Sequence, residues 1–192
     1  MKAHIIVDCE ASGPCPGFGD LINFGAVVVE PGLERGFRSP IIAPLCDRYA
    51  DGAYASIGMS REAHVAAASV TLGDALTAFD DWLVELGADR LIFWSDNPAF
   101  DWQWIHHGFQ VAGRANPFGH SGRRIGDLYA GLSGNAGNVS GWKKRRQTAH
   151  DHDPLNDAKG NAEALLSILT QYDQLKALSI PAGAKRQGVA TA

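Results

Sequence analysis

Apolar residues form short uninterrupted runs near the amino terminus of the chain and recur at helical spacing from residue 71 onward. The runs predict a first strand over residues 5–9, a second over 21–29 and a third over 35–42. A loop rich in glycine and proline, residues 13–19, separates the first two strands. Three successive strands without an intervening helix indicate an antiparallel meander at one end of a sheet.

Helical periodicity is strongest over residues 71–87, where apolar side chains recur at i, i+3, i+4 and i+7 behind Thr71 as the N-cap. The remaining elements are expected at 90–94 (a strand) and at 98–112, 125–132 and from Pro154 onward (helices). This order indicates a mixed α/β domain with helices packed on the sheet. We expect a single domain over residues 1–180 and a flexible tail over residues 181–192.

The composition is that of an ordinary globular protein. The 192 residues are 45% hydrophobic and 20% charged, and no apolar run approaches the ~20 residues of a membrane span. The first residues lack the basic and apolar regions of a signal peptide, so we expect a cytoplasmic protein with no membrane partner. The three cysteines form no CxxC pair and are expected to be free thiols in that compartment.

The formal net charge is −4, which argues against a general polyanion-binding surface. It is compatible with a nucleic-acid enzyme whose carboxylates hold divalent metal ions. Basic residues are nevertheless clustered in two runs, at 123–124 and 143–146. Such runs can form a solvated loop face or contact nucleic acid, and the sequence leaves both interpretations open.

Two acidic residues, Asp8 and Glu10, stand at the end of the first predicted strand. Residues i and i+2 of a strand point to the same face, so both carboxylates are expected on one face and Cys9 on the other. Like charges side by side at the end of a buried strand repel each other and are poorly solvated. Bound cations would explain why such a pair is tolerated.

Two further carboxylates follow a repeated five-residue pattern. Residues 97–101 read Asn-Pro-Ala-Phe-Asp, and residues 153–157 read Asp-Pro-Leu-Asn-Asp. In each segment the first residue can cap a helix and proline occupies the first helical position, which places Asp101 and Asp157 at the fourth. Each acid could simply complement a helix dipole, or both could join the strand pair in a metal site.

Together the four carboxylates make a hard oxygen donor set. Such a set suits Mg²⁺ or Mn²⁺ better than zinc, and two ions ~3.5–4 Å apart assist phosphoryl transfer. His152 lies five residues before Asp157, in the loop before the last predicted helix. A histidine is suited to take a proton from an attacking water near neutral pH, although an ordinary surface histidine is the simpler interpretation.

Taken in order, the motifs Asp8-x-Glu10, Asp101 and His152-x-x-x-x-Asp157 resemble those of the DEDDh superfamily of 3′–5′ exonucleases. The resemblance extends over most of the chain. The segments NPFGHS and DAKGNAEALL are also similar to a group of bacterial exonuclease-like proteins. The ordered set of motifs is far more specific than any one of them.

The resemblance implies a ribonuclease H-like mixed sheet, in which parallel strands follow the three-strand antiparallel meander. It implies that the four carboxylates hold two Mg²⁺ or Mn²⁺ ions, with Glu10 and His152 as the catalytic pair and His152 as general base. It further implies hydrolysis of the last phosphodiester at the 3′ end of single-stranded DNA or RNA, with release of a nucleoside 5′-monophosphate.

Candidates for substrate contact lie next to these motifs. Ser12 and Gly13 follow the first motif, where the commoner family pattern has Thr-Thr-Gly after the glutamate. Asn97 and Trp102 flank the second motif, and Trp102 is the aromatic residue there that we expect to be exposed for base stacking. Trp94 and Phe100 are expected in the core, as most large aromatic residues are.

Three functions remain open at this point: an exonuclease, an inactive nucleic-acid-binding domain, and a phosphodiesterase acting on small nucleotides or very short oligomers. The sequence also leaves open the choice between DNA and RNA and the oligomeric state, a homodimer included. If Asp8 and Asp157 are metal ligands, alanine at either position is expected to leave the metal-free fold as stable as before or more stable, because repulsion is relieved.

Overall fold

The computed structural model describes residues 2–179, and its central feature is a five-stranded mixed sheet. The strands are β1 Lys2–Ala11, β2 Leu21–Val28, β3 Gly36–Arg38, β4 Arg90–Ser95 and β5 Arg123–Arg124. They lie in the order β3-β2-β1-β4-β5. The β1–β2 and β2–β3 pairs are antiparallel, and the β1–β4 and β4–β5 pairs are parallel. The expected meander followed by parallel strands is confirmed.

The third strand is shorter than predicted. Pairing ends at Arg38, and Pro40 has no N–H to donate to a longer ladder. Between these two residues, Ser39 keeps the chain close to β2. Its hydroxyl accepts a hydrogen bond from the N–H of Phe24 at 2.9 Å, and its own N–H donates to the carbonyl of Phe24 at 2.9 Å.

Six segments of the described chain are α-helical. They are α1 Asp51–Ser56, α2 Arg61–Ala67, α3 Leu72–Glu85, α4 Pro98–Val111, α5 Ile125–Ser133 and α6 Pro154–Ser179, and a 3-10 turn covers Gly141–Arg145. Helices α3, α4, α5 and α6 confirm the four predicted helices. Helices α1 and α2 were not predicted, because each buries one side chain, Tyr54 or His64, and so leaves no apolar periodicity to recognise.

Helices cover both faces of the sheet, and β1 shows how the two layers are separated. Ile5 and Cys9 belong to the core layer formed with α3 and α4, whereas Ile6 packs in the layer that contains α6. Because side chains alternate along a strand, Asp8 and Glu10 emerge on the side of α6. The prediction that the two acids share a face opposite Cys9 agrees with this arrangement.

Two further predictions concerned membrane-spanning segments and the end of the chain. Within residues 2–179, no helix is both long enough and apolar enough to cross a bilayer. The tail expected over residues 181–192 lies outside the described part.

Candidate active site

Three carboxylates meet where the end of β1 lies beside the start of α6. Asp8 and Glu10 come from the strand and Asp157 from the helix, and one carboxylate oxygen from each lies within 4.8 Å of the others. The Asp157 side chain is completely buried, and the other two residues are partly exposed. Two rigid elements therefore hold three anionic side chains at a spacing that a bound cation could bridge.

The fourth predicted ligand, Asp101, approaches from α4 in the opposite layer. The register of β1 with β4 ends at Ile6 opposite Trp94, and farther along β1 the N–H of Cys9 donates to Asp101 Oδ1 at 3.0 Å. Asp101 is thereby fixed beside the residue that separates the two acids of β1. It is buried, with 5% of its surface exposed.

Burial and nearby negative charges raise the pKa values of Asp8, Glu10 and Asp101. The pKa of Asp8 lies well above its usual range, because the side chain is buried and because Asp101 and then Asp157 add negative charge. Burial, followed by the charges of Asp157 and Asp101, raises the pKa of Glu10 to about 8. Burial raises the pKa of Asp101 to about 7. An all-oxygen donor set under such repulsion fits a hard divalent cation such as Mg²⁺ or Mn²⁺.

The two helix starts that carry Asp101 and Asp157 differ in their caps. At α6, Asp153 Oδ1 accepts from the N–H groups of Leu155 and Asn156 at 3.1 and 3.0 Å, as predicted. At α4, the Asn97 side chain makes no capping hydrogen bond, so the predicted side-chain cap is wrong there. The Asn97 carbonyl instead accepts a hydrogen bond from the N–H of Asp101 at 3.0 Å. The Asn97 side chain is exposed, and its contact with substrate stays a prediction.

The loop before α6 brings two histidines to the carboxylates. His150 Nδ1 lies 2.6 Å from Asp157 Oδ2, and the main-chain N–H of His152 donates to the same oxygen at 3.2 Å. The His152 ring lies near Glu10, with 3.6 Å between Nδ1 and Oε1. The φ of His152 is +60°, a left-handed conformation in which histidine and asparagine are enriched. This turn sets the two imidazoles side by side, with centroids 4.5 Å apart.

Arg146 is a site residue that the sequence reasoning missed. Its Nη2 donates to Asp157 Oδ1 at 2.8 Å. The one signal in the sequence was the basic run 143–146, which was considered as a solvated face or a nucleic-acid contact. At least two of its members instead pair with acids of this chain, since Lys143 Nζ also lies 2.6 Å from Asp96 Oδ2.

Ser12 and Gly13, two of the candidates for substrate contact, shape the loop after β1. The Ser12 side chain is fully buried, and its hydroxyl accepts from the N–H of Asp20 at 2.8 Å. A Cβ at Gly13 would overlap the carbonyl oxygen of Phe18, so the position requires glycine for close approach of the backbone. Both residues therefore have a role in shaping this loop, and their contact with substrate stays a prediction.

Trp102, the aromatic candidate for base stacking, is half-buried. It meets the Phe93 ring edge to face at 5.1 Å between centroids and stacks on His106 at 6.0 Å. Trp94 is buried, as expected, and Phe100 packs partly buried against the core. Stacking of a base on Trp102 stays a prediction.

Comparison with known proteins identifies the family of the chain. Residues 3–169 match the Rv2179c-like family, described as a 3′–5′ exoribonuclease domain. The chain belongs to this family. It is accordingly a 3′–5′ exonuclease, and the resemblance seen in its motifs is confirmed.

One curated relative and two solved structures extend this finding. The chain is 30% identical over 191 residues to the 3′–5′ DNA exonuclease Cap18 of Escherichia coli, covering 92% of this chain and 96% of Cap18. It resembles the nuclease domain of 3′hExo, a DEDDh family member bound to rAMP (TM-score 0.69, 18% identity, 88% of this chain and 92% of that one). It also resembles E. coli exonuclease I in complex with dT13 (TM-score 0.62, 14% identity, 93% of this chain and 43% of that one).

These likenesses confirm the fold as the ribonuclease H-like fold of DEDDh exonucleases. The family implies divalent metal ions, and the oxygen donor set at the end of β1 fits them. The inactive binding domain that the sequence left open is thereby disfavoured.

Proposed function

We propose that this exonuclease is metal-dependent and removes nucleotides from the 3′ end of single-stranded nucleic acid, releasing nucleoside 5′-monophosphates. The observation that carries the proposal is the meeting of Asp8, Glu10 and Asp157 within 4.8 Å, on a strand and a helix of the core. A purely structural role does not explain why two acids of a strand and one of a helix, all of the same charge, lie next to one another.

In this proposal Asp8, Glu10, Asp101 and Asp157 hold two Mg²⁺ or Mn²⁺ ions. When bound, the ions would activate a water and neutralise the charge that develops on the phosphate oxygens. The protein holds its ligands on elements that do not need to reorganise, since Asp101 is tied to the N–H of Cys9 and Asp157 to Arg146. Such preorganisation is the main contribution that a protein makes to this kind of reaction.

We assign the general base to His152. Its side chain is 41% exposed, and its Nδ1 lies 3.6 Å from Glu10 Oε1, beyond ordinary hydrogen-bond distance. The ring therefore has a nitrogen free to take a proton from water at the carboxylate cluster. His150 is less suited, because its Nδ1 already lies 2.6 Å from Asp157 Oδ2, one of the oxygens that would face the ions.

The preference for a single strand follows from access to the site. A terminal base must leave its partner before its phosphodiester can reach an enclosed centre, and unpairing costs a few kcal/mol. The comparisons name different nucleic acids, since Cap18 is a DNA exonuclease and the family is described as an exoribonuclease domain. We propose activity on single strands of both kinds, with the two compared directly.

The test is incubation of 5′-labelled single-stranded DNA and RNA of one sequence with Mg²⁺, Mn²⁺ or EDTA. We expect a ladder that shortens from the 3′ end only when a metal is present. The Asp8→Asn variant should be inactive, and Asp81→Asn, at a mostly exposed position on α3, should match the wild type. Undiminished hydrolysis in excess EDTA, or release of nucleotides from the 5′ end, would contradict the proposal.

A length series on the same substrates separates this function from that of a phosphodiesterase specialised for very short oligomers. We expect long single strands to be degraded at least as efficiently as dinucleotides, measured as kcat/KM. A marked preference for dinucleotides would favour the alternative.

A further inference from the structure

The guanidinium of Arg146 has acceptors on every nitrogen, and the side chain is only 12% exposed. Nη2 donates to Asp157 Oδ1 at 2.8 Å, and Nη1 donates to Asn161 Oδ1 at 3.1 Å. Nε and Nη2 also donate to the main-chain carbonyls of Thr148 and Ala149, each at 3.4 Å. A planar guanidinium is the side chain that can serve four such acceptors at once.

On the helix side, three residues of α6 receive this guanidinium. Asp157, Gly160 and Asn161 stand at i, i+3 and i+4 and so share one face of the helix. A Cβ at Gly160 would lie 2.6 Å from Arg146 Nε. Glycine inside a helix costs about 1 kcal/mol relative to alanine, and here the guanidinium accounts for it. Within residues 157–161, Asp157 and Asn161 thus supply side-chain oxygens to Arg146, and Gly160 leaves the space that its guanidinium occupies.

On the loop side, the two carbonyls belong to the segment that leads to the histidines. Thr148 and Ala149 immediately precede His150, and His152 follows two residues later. Arg146 is therefore bonded both to the acid of α6 and to the main chain of the loop that carries the imidazoles. A group that served only as a counter-charge for Asp157 would not need the two carbonyls.

We infer that Arg146 is a positioning residue, which holds Asp157 by one oxygen and fixes the loop that carries His152 against the carboxylates. The inference rests on the proposed function, because it takes Asp157 as a metal ligand and His152 as the general base. Arg146 donates to Oδ1 of Asp157, and Oδ2 faces the histidine loop, where it accepts the main-chain N–H of His152 at 3.2 Å and lies 2.6 Å from His150 Nδ1.

Lysine in place of Arg146 would keep the charge but not the geometry. An ammonium group is compact and can reach Asp157 without also reaching the carbonyls of the loop. Changes to groups that orient metal ligands cost about 10–100-fold in metal affinity or activity. We therefore expect Arg146→Lys to lower kcat about tenfold or more with little change in KM.

Arg145, whose side chain also binds α6, offers a matched control. Its guanidinium donates to Ser167 Oγ at 2.9 Å and to Gln171 Oε1 at 2.6 Å, farther along α6 and away from the carboxylates. Arg145→Ala removes an arginine that ties the same stretch of chain to the same helix. A general loss of packing between the two would appear in this variant as well.

The experiment compares full-length Arg146→Ala, Arg146→Lys and Arg145→Ala with the wild type. Circular dichroism and thermal unfolding in EDTA report folding, titration with Mn²⁺ alone reports metal affinity, and steady-state kinetics separate kcat from KM. We expect both Arg146 variants to bind Mn²⁺ about 10–100-fold more weakly, whereas Arg145→Ala keeps wild-type affinity and kcat. Free guanidinium at millimolar concentration should restore part of the kcat of Arg146→Ala and nothing in Arg145→Ala.

The inference is overturned if the Arg146 variants keep wild-type Mn²⁺ affinity and kcat, or if Arg145→Ala loses both to the same extent. Should Arg146→Ala fail to fold, Arg146→Lys carries the same comparison with the charge retained. Absence of hydrolysis by the wild type with either metal would refute the proposed function. The Mn²⁺ titration would still decide whether Arg146 positions Asp157.

Discussion

The metal-free protein should become more stable when Glu10 is replaced by glutamine. The Glu10 side chain is 13% exposed, and burial together with the charges of Asp157 and Asp101 raises its pKa from 4.5 to about 8. Between these two pH values the folded state binds a proton that the unfolded state has lost. The free energy of unfolding therefore falls as pH rises from about 4.5 to about 8, and the penalty is complete above that range.

The size of the effect follows from the pKa shift. Each pKa unit corresponds to about 1.4 kcal/mol, so the shift of Glu10 sets an upper limit of about 5 kcal/mol at pH 8. Part of this repulsion is shared with Asp8 and Asp101, whose own protonation relieves it. We therefore expect Glu10→Gln to raise the free energy of unfolding at pH 8 by about 2–4 kcal/mol and to change it little near pH 4.5.

The assay is urea unfolding in EDTA at a series of pH values from 4.5 to 9. Glu10→Gln should show a shallower decline with pH than the wild type, and Glu85→Gln, at an exposed position on α3, should follow the wild-type curve. Added Mg²⁺ should stabilise the wild type more than Glu10→Gln, because a ligand that binds only the folded state raises its stability. A variant that is less stable than the wild type at pH 8, with the same pH dependence, would refute this reasoning.

Two further predictions concern the residues around Asp157. His152→Asn, which tolerates the left-handed backbone, should lower kcat about 10²–10⁴-fold with Mn²⁺ affinity nearly unchanged, and His150→Ala should retain most of the wild-type kcat. The reverse outcome in steady-state kinetics would move the general base to His150. In EDTA, Asp8→Ala should melt at or above the wild-type temperature. Asp157→Ala should lower the free energy of unfolding by about 3 kcal/mol, because Arg146 would keep a largely buried charge without its partner. Equal melting temperatures for the two variants would contradict this.

The last of these predictions differs from what the sequence suggested. From the sequence, Asp8 and Asp157 were equivalent members of a repelling set, and removal of either was expected to relieve strain in the metal-free fold. The structure separates them, because only Asp157 carries an ion pair with a nearly buried arginine. The ion pair partly offsets the repulsion at Asp157, whereas burial and the neighbouring acids keep the pKa of Asp8 well above its usual range despite the charge of Arg146.

Local patterns predicted strands β1, β2 and β4 and helices α3 to α6, and they singled out the four acids as candidates. Strand alternation determines that Asp8 and Glu10 share a face, and the Asp153-Pro154 start determines where Asp157 stands in α6. Both depend on backbone geometry within a few residues, which the order of side chains specifies. The short helices α1 and α2 were missed because each buries only one side chain and so leaves no local apolar pattern.

Only the tertiary structure decided which groups meet across the fold. The bond from Cys9 N–H to Asp101 joins residues 92 positions apart, and Arg146 reaches Asp157 and Asn161 only because the loop folds back on α6. The role of the basic run stayed open between a solvated surface and nucleic-acid contact, because a sequence does not show which way a charged side chain points. The bonding partner of a side chain depends on the packing of distant segments, and periodicity along the chain does not record that packing.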